Sequence, residues 1–274
     1  MLPDAYLLAI GRYVYVINPL SGATIPLDLG DWTSATAAAI IPSTRKAYVT
    51  TSFNNLWEID LAAMESHNVS WNGWGTCNAL VAVPNSVEGH PLFAFCHKLW
   101  LVDDPSTGQC TDFLGGFTDV WTKVNAATSV GMKIFATTSA NNLWCIDTVA
   151  NEVTKLGGGS DNWSNCHALV EVEGKLYAFC YGLWEVDVET GHYTQFFDEG
   201  SEERKINWSH TKSATVIDTK VYVFCRGGIW AKDQLLELDI NTKKVREISM
   251  SIGNLTNVKV LIAVDRNVIA IDHD

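Results

Sequence analysis

Cysteine and histidine stand side by side twice in the chain, at Cys96-His97 and Cys166-His167. A cysteine nucleophile needs a base within hydrogen-bond reach. Zinc needs three or four ligands held on a rigid frame. Both pairs lie at the ends of short apolar runs of strand character, where adjacent side chains point to opposite faces. That alternation argues against a Cys–His nucleophile and against a metal shared within either pair. His97, His167 and His210 could meet at one end of the fold, which is the one metal arrangement these residue types allow. No glycine-rich phosphate loop, no Gly-x-Ser-x-Gly and no His-Glu-x-x-His occurs. The expectation is a chain without catalytic residues, cofactor or metal.

Polar residues recur more regularly than this catalytic chemistry. A short motif, Trp followed by Ser, Thr or Gly, appears at Trp32, Trp74, Trp121, Trp163 and Trp208, with Leu255 in the sixth place. These positions are spaced by 42, 47, 42, 45 and 47 residues. Four residues beyond each comes a mostly polar column: Thr36, Asn78, Asn125, His167, Lys212 and Lys259. A second column holds Asn18, Asp60, Asp103, Asp147, Asp187 and Asp239, each opening a turn. Such residues accept turn N–H groups. They sit on separate repeats without an acidic loop pattern, so calcium is disfavoured.

The elements that position these columns are strands. The stretch from Asn162 to Phe197 holds the runs His167–Val172, Lys175–Cys180, Leu183–Val188 and His192–Phe197, divided by glycine-containing turns. Runs rich in Val, Leu, Tyr, Phe and Trp between tight turns are antiparallel strands, here called a, b, c and d. Repeats of this length with four strands each are the signature of a β-propeller. A longer period of two repeats is also visible, since 50–57 (TTSFNNLW) matches 137–144 (TTSANNLW) while 94–100 (AFCHKLW) matches 178–184 (AFCYGLW).

The N-terminal part supplies b, c and d (Leu7–Ile10, Tyr13–Ile17, Ala23–Asp28) without an a strand. Five full copies follow, and the C-terminal part supplies a strand a over Val258–Val264 and a further run, Val268–Asp272. The runs number one more than six four-stranded blades require. The expectation is therefore all-β: one six-bladed propeller domain over residues 1–274, its ring closed by pairing N- and C-terminal strands, which removes open edges. The extra run either continues the closing blade, displacing Leu7–Ile10, or lies outside the sheet.

The unit ALVEV-EGK-LYAFC-x-LWEVDVETG-xYTQF resembles a kelch-type blade over the whole chain: an apolar strand, a turn, an aromatic strand ending in small residues, then a strand ending in Asp. The kelch glycine doublet is replaced by Cys or Thr-Thr in most copies, and Gly227-Gly228 alone is similar to it. The repeated Trp and Asn loops are loosely similar to those of tandem-repeat propeller lectins. The resemblance implies a fold superfamily, not a particular activity.

In an a–b–c–d meander the d–a and b–c connections share one end of the ring. That end collects the Asn/Asp-Trp-Ser/Thr motifs together with His97, Lys98, Asn55, Asn142, Tyr181 and Arg226. Residues Asn78, Asn125, His167, Lys212 and Lys259 should ring the channel mouth there. His97, Asn55 and Asn142 join them from the b–c turns, and Trp74, Trp163 and Trp208 could offer stacking platforms. Against this, each polar group could merely bond a loop backbone, and each tryptophan could wedge between sheets. The c-strand residues Trp57, Trp100, Trp144, Trp184 and Trp230 are expected to be more firmly core.

A net charge of −12 argues against a nucleic-acid partner, and no apolar run is long enough for a membrane helix. Seven cysteines are an odd number; all but Cys110 fall at repeat positions where other copies carry small residues, so they read as buried filler. That reading, with no leader segment visible, points to the cytoplasm. Four glycosylation sequons, at Asn68, Asn162, Asn207 and Asn254, stand against it unless they serve a local turn. The favoured function is a non-catalytic recognition module for a protein or peptide on the tryptophan-bearing end. The alternative is a multivalent carbohydrate-binding lectin with repeated sites between blades.

Overall fold

A computed structural model describes residues 5–70, 73–83, 91–115, 120–158, 163–203, 206–226, 233–250 and 258–265. Among them are six four-stranded antiparallel sheets arranged as a six-bladed β-propeller. Blade 1 comprises Ala35–Ile41, Lys46–Thr51, Leu56–Asp60 and Glu65–Ser70; blade 2 comprises Ala79–Ala82, Leu92–Phe95, Leu99–Asp104 and Gln109–Asp112. Blade 3 runs through Val124–Val130, Lys133–Thr138, Asn142–Asp147 and Glu152–Gly158, and blade 4 through Ala168–Val172, Lys175–Phe179, Leu183–Val186 and Tyr193–Gln195. Blade 5 comprises Thr211–Ile217, Lys220–Cys225, Gln234–Asp239 and Lys244–Ile248.

Blade 6 closes the ring. Its strand a, Val260–Asp265, comes from the C-terminal part and pairs antiparallel with Ala5–Ile10, followed by Val14–Ile17 and Thr24–Leu27. Leu7–Ile10 is therefore kept in the sheet as strand b and is not displaced. The run Val268–Asp272, like Leu255, Trp230 and Gly227-Gly228, lies outside the described residues.

Burial explains why the four strands of a blade differ in composition. Strands b are buried on both faces and read as continuous apolar runs, such as Leu7–Ile10. Strands d lie outermost, and in Gln109–Asp112 and Lys244–Ile248 most residues are exposed and polar. Between each pair of neighbouring blades sits one apolar cluster. Tyr6, Leu8 and Ile10 face blade 1, while Leu7 and Ala9, one residue out of phase, face blade 5. That is the two-residue period of a strand buried on both sides. The clusters together replace one central core, so the axis is free to hold a channel.

Strands a line that channel. In Ala35–Ile41 alternate residues are buried, and the intervening Ala38 and Ile40 face a cavity of about 420 Å³. Every blade contributes, including Leu80 and Ala82, Ala127, Leu169, Ala214 and Ile262. Hydroxyls link neighbouring inner strands: Ser129 Oγ donates to the Ala82 carbonyl at 3.0 Å, and Ser213 Oγ and Thr215 Oγ1 accept from the Leu261 and Ala263 N–H groups.

Candidate functional site at the tryptophan end

A single extra residue at the start of each strand a builds the channel mouth. In blades 1, 3 and 5 the pairing with strand b slips by one residue at Thr36, Asn125 and Lys212. In blades 2, 4 and 6 the N–H groups of Asn78, His167 and Lys259 donate at 2.8 Å to the carbonyls of Phe95, Phe179 and Ile10, just ahead of the regular ladder. A β-bulge leaves one residue unpaired and re-aims its side chain. The polar column is thus a ring of bulge residues, one per blade. Asn78, His167, Lys212 and Lys259 are exposed, and Thr36 and Asn125 are half-buried.

These side chains do not all remain available to a ligand. Asn78 Nδ2 donates to the Thr122 carbonyl of the next blade, and Asn125 Nδ2 donates to the Ser164 carbonyl, both at 2.9 Å. Thr36 Oγ1 is bound to Thr50 of its own blade, 2.9 Å from its hydroxyl. Asn78 and Asn125, expected as ligand contacts, use their amide N–H groups to tie one blade to its neighbour. The basic half of the ring remains. Although part of the His167 ring is exposed, the protein packed around the rest desolvates it and lowers its pKa, and nearby Lys212 and then His210 lower it further. Three basic side chains from blades 4 and 5 therefore share one side of the mouth, with Lys259 following on blade 6.

The tryptophan motif has a structural role. Trp74, Trp163 and Trp208 are at most 3% exposed, and Trp121 is fully buried. Each lies in the cluster between its own blade and the preceding one. Their faces pack on protein rings: Trp163 meets Tyr193 at 5.2 Å, and Trp208 meets Phe179 at 5.2 Å edge-on while stacking on Phe197. The expectation of stacking platforms at Trp74, Trp163 and Trp208 is corrected, because no indole face is open. The burial order is also reversed: the c-strand residues Trp57, Trp100, Trp144 and Trp184 are only half-buried. Trp32 Nε1 donates to the carbonyl of Leu29, three residues earlier. In the other four blades that acceptor position lies outside the described residues.

The residue before the tryptophan caps the turn that follows. Asp31 Oδ1 accepts from the N–H and hydroxyl of Thr33, and Asn207 Oδ1 accepts from those of Ser209. The Asn207 sequon thereby meets a local turn requirement. In blades 2 and 4 the cap comes from the preceding blade: Asn54 Oδ1 accepts from Gly75 N–H at 2.9 Å, and Asn141 Oδ1 from Ser164 N–H at 3.0 Å. Asn54 and Asn141 take left-handed backbone, with φ of 66° and 62°. Their neighbours Asn55 and Asn142 were the expected contacts. Asn55 is buried, and Asn142 opens strand c opposite Thr138. Asn55 is corrected as a ligand contact by that burial.

His97 is exposed at the b–c turn of blade 2, packed edge-on against Trp100 at 5.5 Å, and its neighbour Lys98 pairs with Asp112 at 2.6 Å. Among the described residues no three His, Cys, Asp or Glu side chains form a group able to hold a metal, so His97, His167 and His210 do not converge as one. Exposed aromatic side chains stand on separate b–c turns at this end: Phe53 of blade 1 at 74%, Tyr181 of blade 4 at 61% and Tyr13 of blade 6 at 45% exposed. The sequence places all three on b–c turns, and their exposure follows from how far those turns project.

The opposite end carries the capping column. Asp60, Asp147, Asp187 and Asp239 each accept turn N–H groups, as does Asn18 in blade 6. In blade 2 the capping carboxylate is Asp104, not Asp103, because strand c carries a register shift after Val102. Among the described residues the ring of bulge positions carries no carboxylate, while the entry turn of blade 1 carries Asp31 and the b–c connection of blade 5 carries Asp233. On this chain of net charge −12 the tryptophan end carries Arg12, Lys123, His167, His210, Lys212, Arg226 and Lys259, while Arg45, Lys46, Lys133, Lys175, Lys220, Lys243 and Lys244 lie at the a–b and c–d turns of the other end.

No family model matches the chain, and no curated protein matches it in sequence. It is similar in structure to a protein of unknown function from Bacteroides thetaiotaomicron, with a TM-score of 0.59 at 12% identity over 93% of this chain and 67% of that one. It is also similar to the computationally designed Ika8 protein, with a TM-score of 0.50 at 12% identity over 93% of this chain and 76% of that one. At such identities the likeness is one of fold.

Proposed function

We propose that this propeller is a non-catalytic recognition module that binds an acidic segment of a protein or peptide on its tryptophan end. The observation that carries the reading is the group of basic side chains His167, Lys212 and Lys259, with His210 beside them, along one side of the channel mouth. Electrostatic complementarity selects partners and speeds their encounter, and a basic mouth on an acidic chain repels most acidic surfaces except at that one place. Exposed Phe53 and Tyr181 supply apolar contact area of the kind that anchors protein interfaces. The kelch-like layout of the blades belongs to the same reading, as a scaffold that holds loops rigidly.

Carbohydrate binding by repeated sites between blades draws no support from this geometry. The repeated indoles are buried, and Asn54 and Asn141 are engaged as caps.

Fluorescence anisotropy with a labelled peptide alternating Glu and aromatic residues tests the proposal, with a Lys-substituted peptide as control. The acidic peptide should bind and the basic one should not. Lys212→Glu combined with Lys259→Glu should weaken binding by about tenfold or more, as expected for like-charge juxtaposition. Equal binding of both peptides, or indifference to the charge reversal, rejects the reading. A glycan array run alongside reports on the lectin alternative.

A further inference from the structure

Four of the seven cysteines face one another in two pairs at equivalent places in blades 2 and 4. In blades 1, 3 and 5 the residue just before the bulge pairs across the ladder with the last residue of strand b. The pairs there are Ala35 with Thr51, Val124 with Thr138, and Thr211 with Cys225. In blades 2 and 4 the N–H bonds of Asn78 and His167 mark the equivalent place, where Cys77 and Cys96, and Cys166 and Cys180, hold the corresponding positions and are hydrogen-bonded to each other. Directly facing residues of an antiparallel ladder have Cα atoms about 4.5–5.5 Å apart. A disulfide spans roughly 4.4–6.8 Å between Cα atoms.

Each pair is buried within a single blade–blade cluster. The Cys77 and Cys166 thiols also reach the Ala79 and Ala168 carbonyls, at 3.3 and 3.4 Å. The thiols of Cys96 and Cys180 are each hydrogen-bonded to their partner cysteine, and this contact together with burial pushes both pKa values up. Blade 5 holds the same place with one hydroxyl and one thiol, Thr211 Oγ1 lying 3.9 Å from Cys225 Sγ. Cys110 is exposed, and Cys145 is buried elsewhere on strand c.

We propose that Cys77–Cys96 and Cys166–Cys180 are two dithiol sites that close into disulfides within their blades. Each closure removes two thiol hydrogens, forms one S–S bond and passes two electrons to a disulfide oxidant such as oxidised glutathione, which leaves as two thiols. Thiolates are the attacking species, so raised pKa values and burial keep the closed fold slow to react. Exchange therefore runs during folding or when an entry turn opens. Each bond pins the residue immediately before a bulge side chain, Asn78 or His167, and so braces two sectors of the channel mouth.

Refolding the full chain in a buffer of reduced and oxidised glutathione, then alkylating under denaturing conditions and mapping peptides, tests the assignment. The expected result is two linkages, Cys77–Cys96 and Cys166–Cys180, with Cys110, Cys145 and Cys225 alkylated. Tm should rise by on the order of 10 °C over the reduced protein, given what such cross-links contribute. Cys77→Thr, which borrows the residue blade 5 carries there, should lose the first linkage and keep the second. Thr211→Cys should gain a third linkage to Cys225. Seven free thiols in protein with native circular dichroism, or linkages dominated by Cys110 or Cys145, overturns the proposal. So does a folded Thr211→Cys variant whose Cys225 stays alkylatable.

Discussion

Asn78 reaches out of its own blade and donates through its side-chain amide, at 2.9 Å, to the carbonyl oxygen of Thr122 in the next. Asn125 repeats the bond one blade further on, to Ser164. Both residues are bulge positions, where strand pairing is interrupted and a side chain is free to cross to a neighbour. The ring is therefore held at its mouth by side-chain bonds as well as by the clusters deeper down.

Replacing Asn78 or Asn125 by Ala should lower stability by about 1 kcal/mol each, the net worth of a hydrogen bond that water can partly replace. The two bonds share no residue, so the double variant should show nearly the sum. Thermal denaturation measures this. Binding of an acidic peptide should be unchanged in both single variants, which separates these two positions from the basic half of the ring. A variant that loses binding at full stability would return Asn78 or Asn125 to the ligand site.

Asn54 and Asn141 combine a left-handed backbone with a cap on the next blade's entry turn. Asn54→Gly removes the cap but keeps backbone freedom; Asn54→Ala removes both. Loss of a cap costs about 1 kcal/mol, and a Cβ in left-handed conformation adds about 1–2 kcal/mol. Chemical denaturation should rank wild type above Asn54→Gly above Asn54→Ala, and the Asn141 series should follow the same order. Equal stability of the Gly and Ala variants would show that φ at these turns is not constrained.

Much of this architecture was legible in the chain, and the reasons are local. Turns with glycine, apolar runs of strand length and spacings of 42–47 residues are properties of residue type and order. Closure was legible in part: a strand a near the C-terminus and strands b, c and d near the N-terminus could be paired, while the run Val268–Asp272 left a second choice that the pairing of Ala5–Ile10 with Val260–Asp265 decides. The bulge was not legible: it depends on which N–H meets which carbonyl, and Thr, Asn, His and Lys all occupy it. The capping choice in blade 2 was hidden likewise, since Asp103 and Asp104 differ only in register. Burial of the entry tryptophans agrees with the wedge reading of one tryptophan per blade, whereas partial exposure of Trp100 and Trp184 depends on how blades pack, which the period does not encode.

Acid should loosen the ring from its far end. Backbone N–H bonds to Asp60 and Asp147 hold these carboxylates below their ordinary 3.8, and at Asp104 and Asp187 the hydroxyls of Ser106 and Thr190 do so first, with backbone N–H bonds second. A carboxylate lowered in the folded state contributes stability that is complete above 3.8 and is lost as the pH falls below it. Asn18 shows that an amide performs the same capping without titrating. The combined Asp60→Asn, Asp147→Asn and Asp187→Asn variant should match wild type near neutral pH to within about 1 kcal/mol. It should also flatten the fall in stability below pH 3.8, measured by urea unfolding across pH. An unchanged slope would place the acid sensitivity elsewhere.

His167 carries the opposite kind of sensitivity and reports directly on the mouth. Its pKa lies below the ordinary 6.5 because burial, then Lys212 and His210, disfavour the imidazolium. The neutral ring is thus the folded form at pH 7.5, and protonation favours unfolding, so its contribution is full above 6.5 and declines as the pH falls. Lys212→Ala removes one opposing charge and should raise the His167 pKa, read from the imidazole proton shifts by NMR titration. An acidic peptide seated between His167, Lys212 and Lys259 should raise it too, since an anion favours the charged ring. By linkage that peptide then binds more tightly at pH 5.5 than at 7.5, with proton uptake on binding. A titration curve that stays put when peptide is added at saturating concentration would mean that the peptide binds away from this side of the mouth.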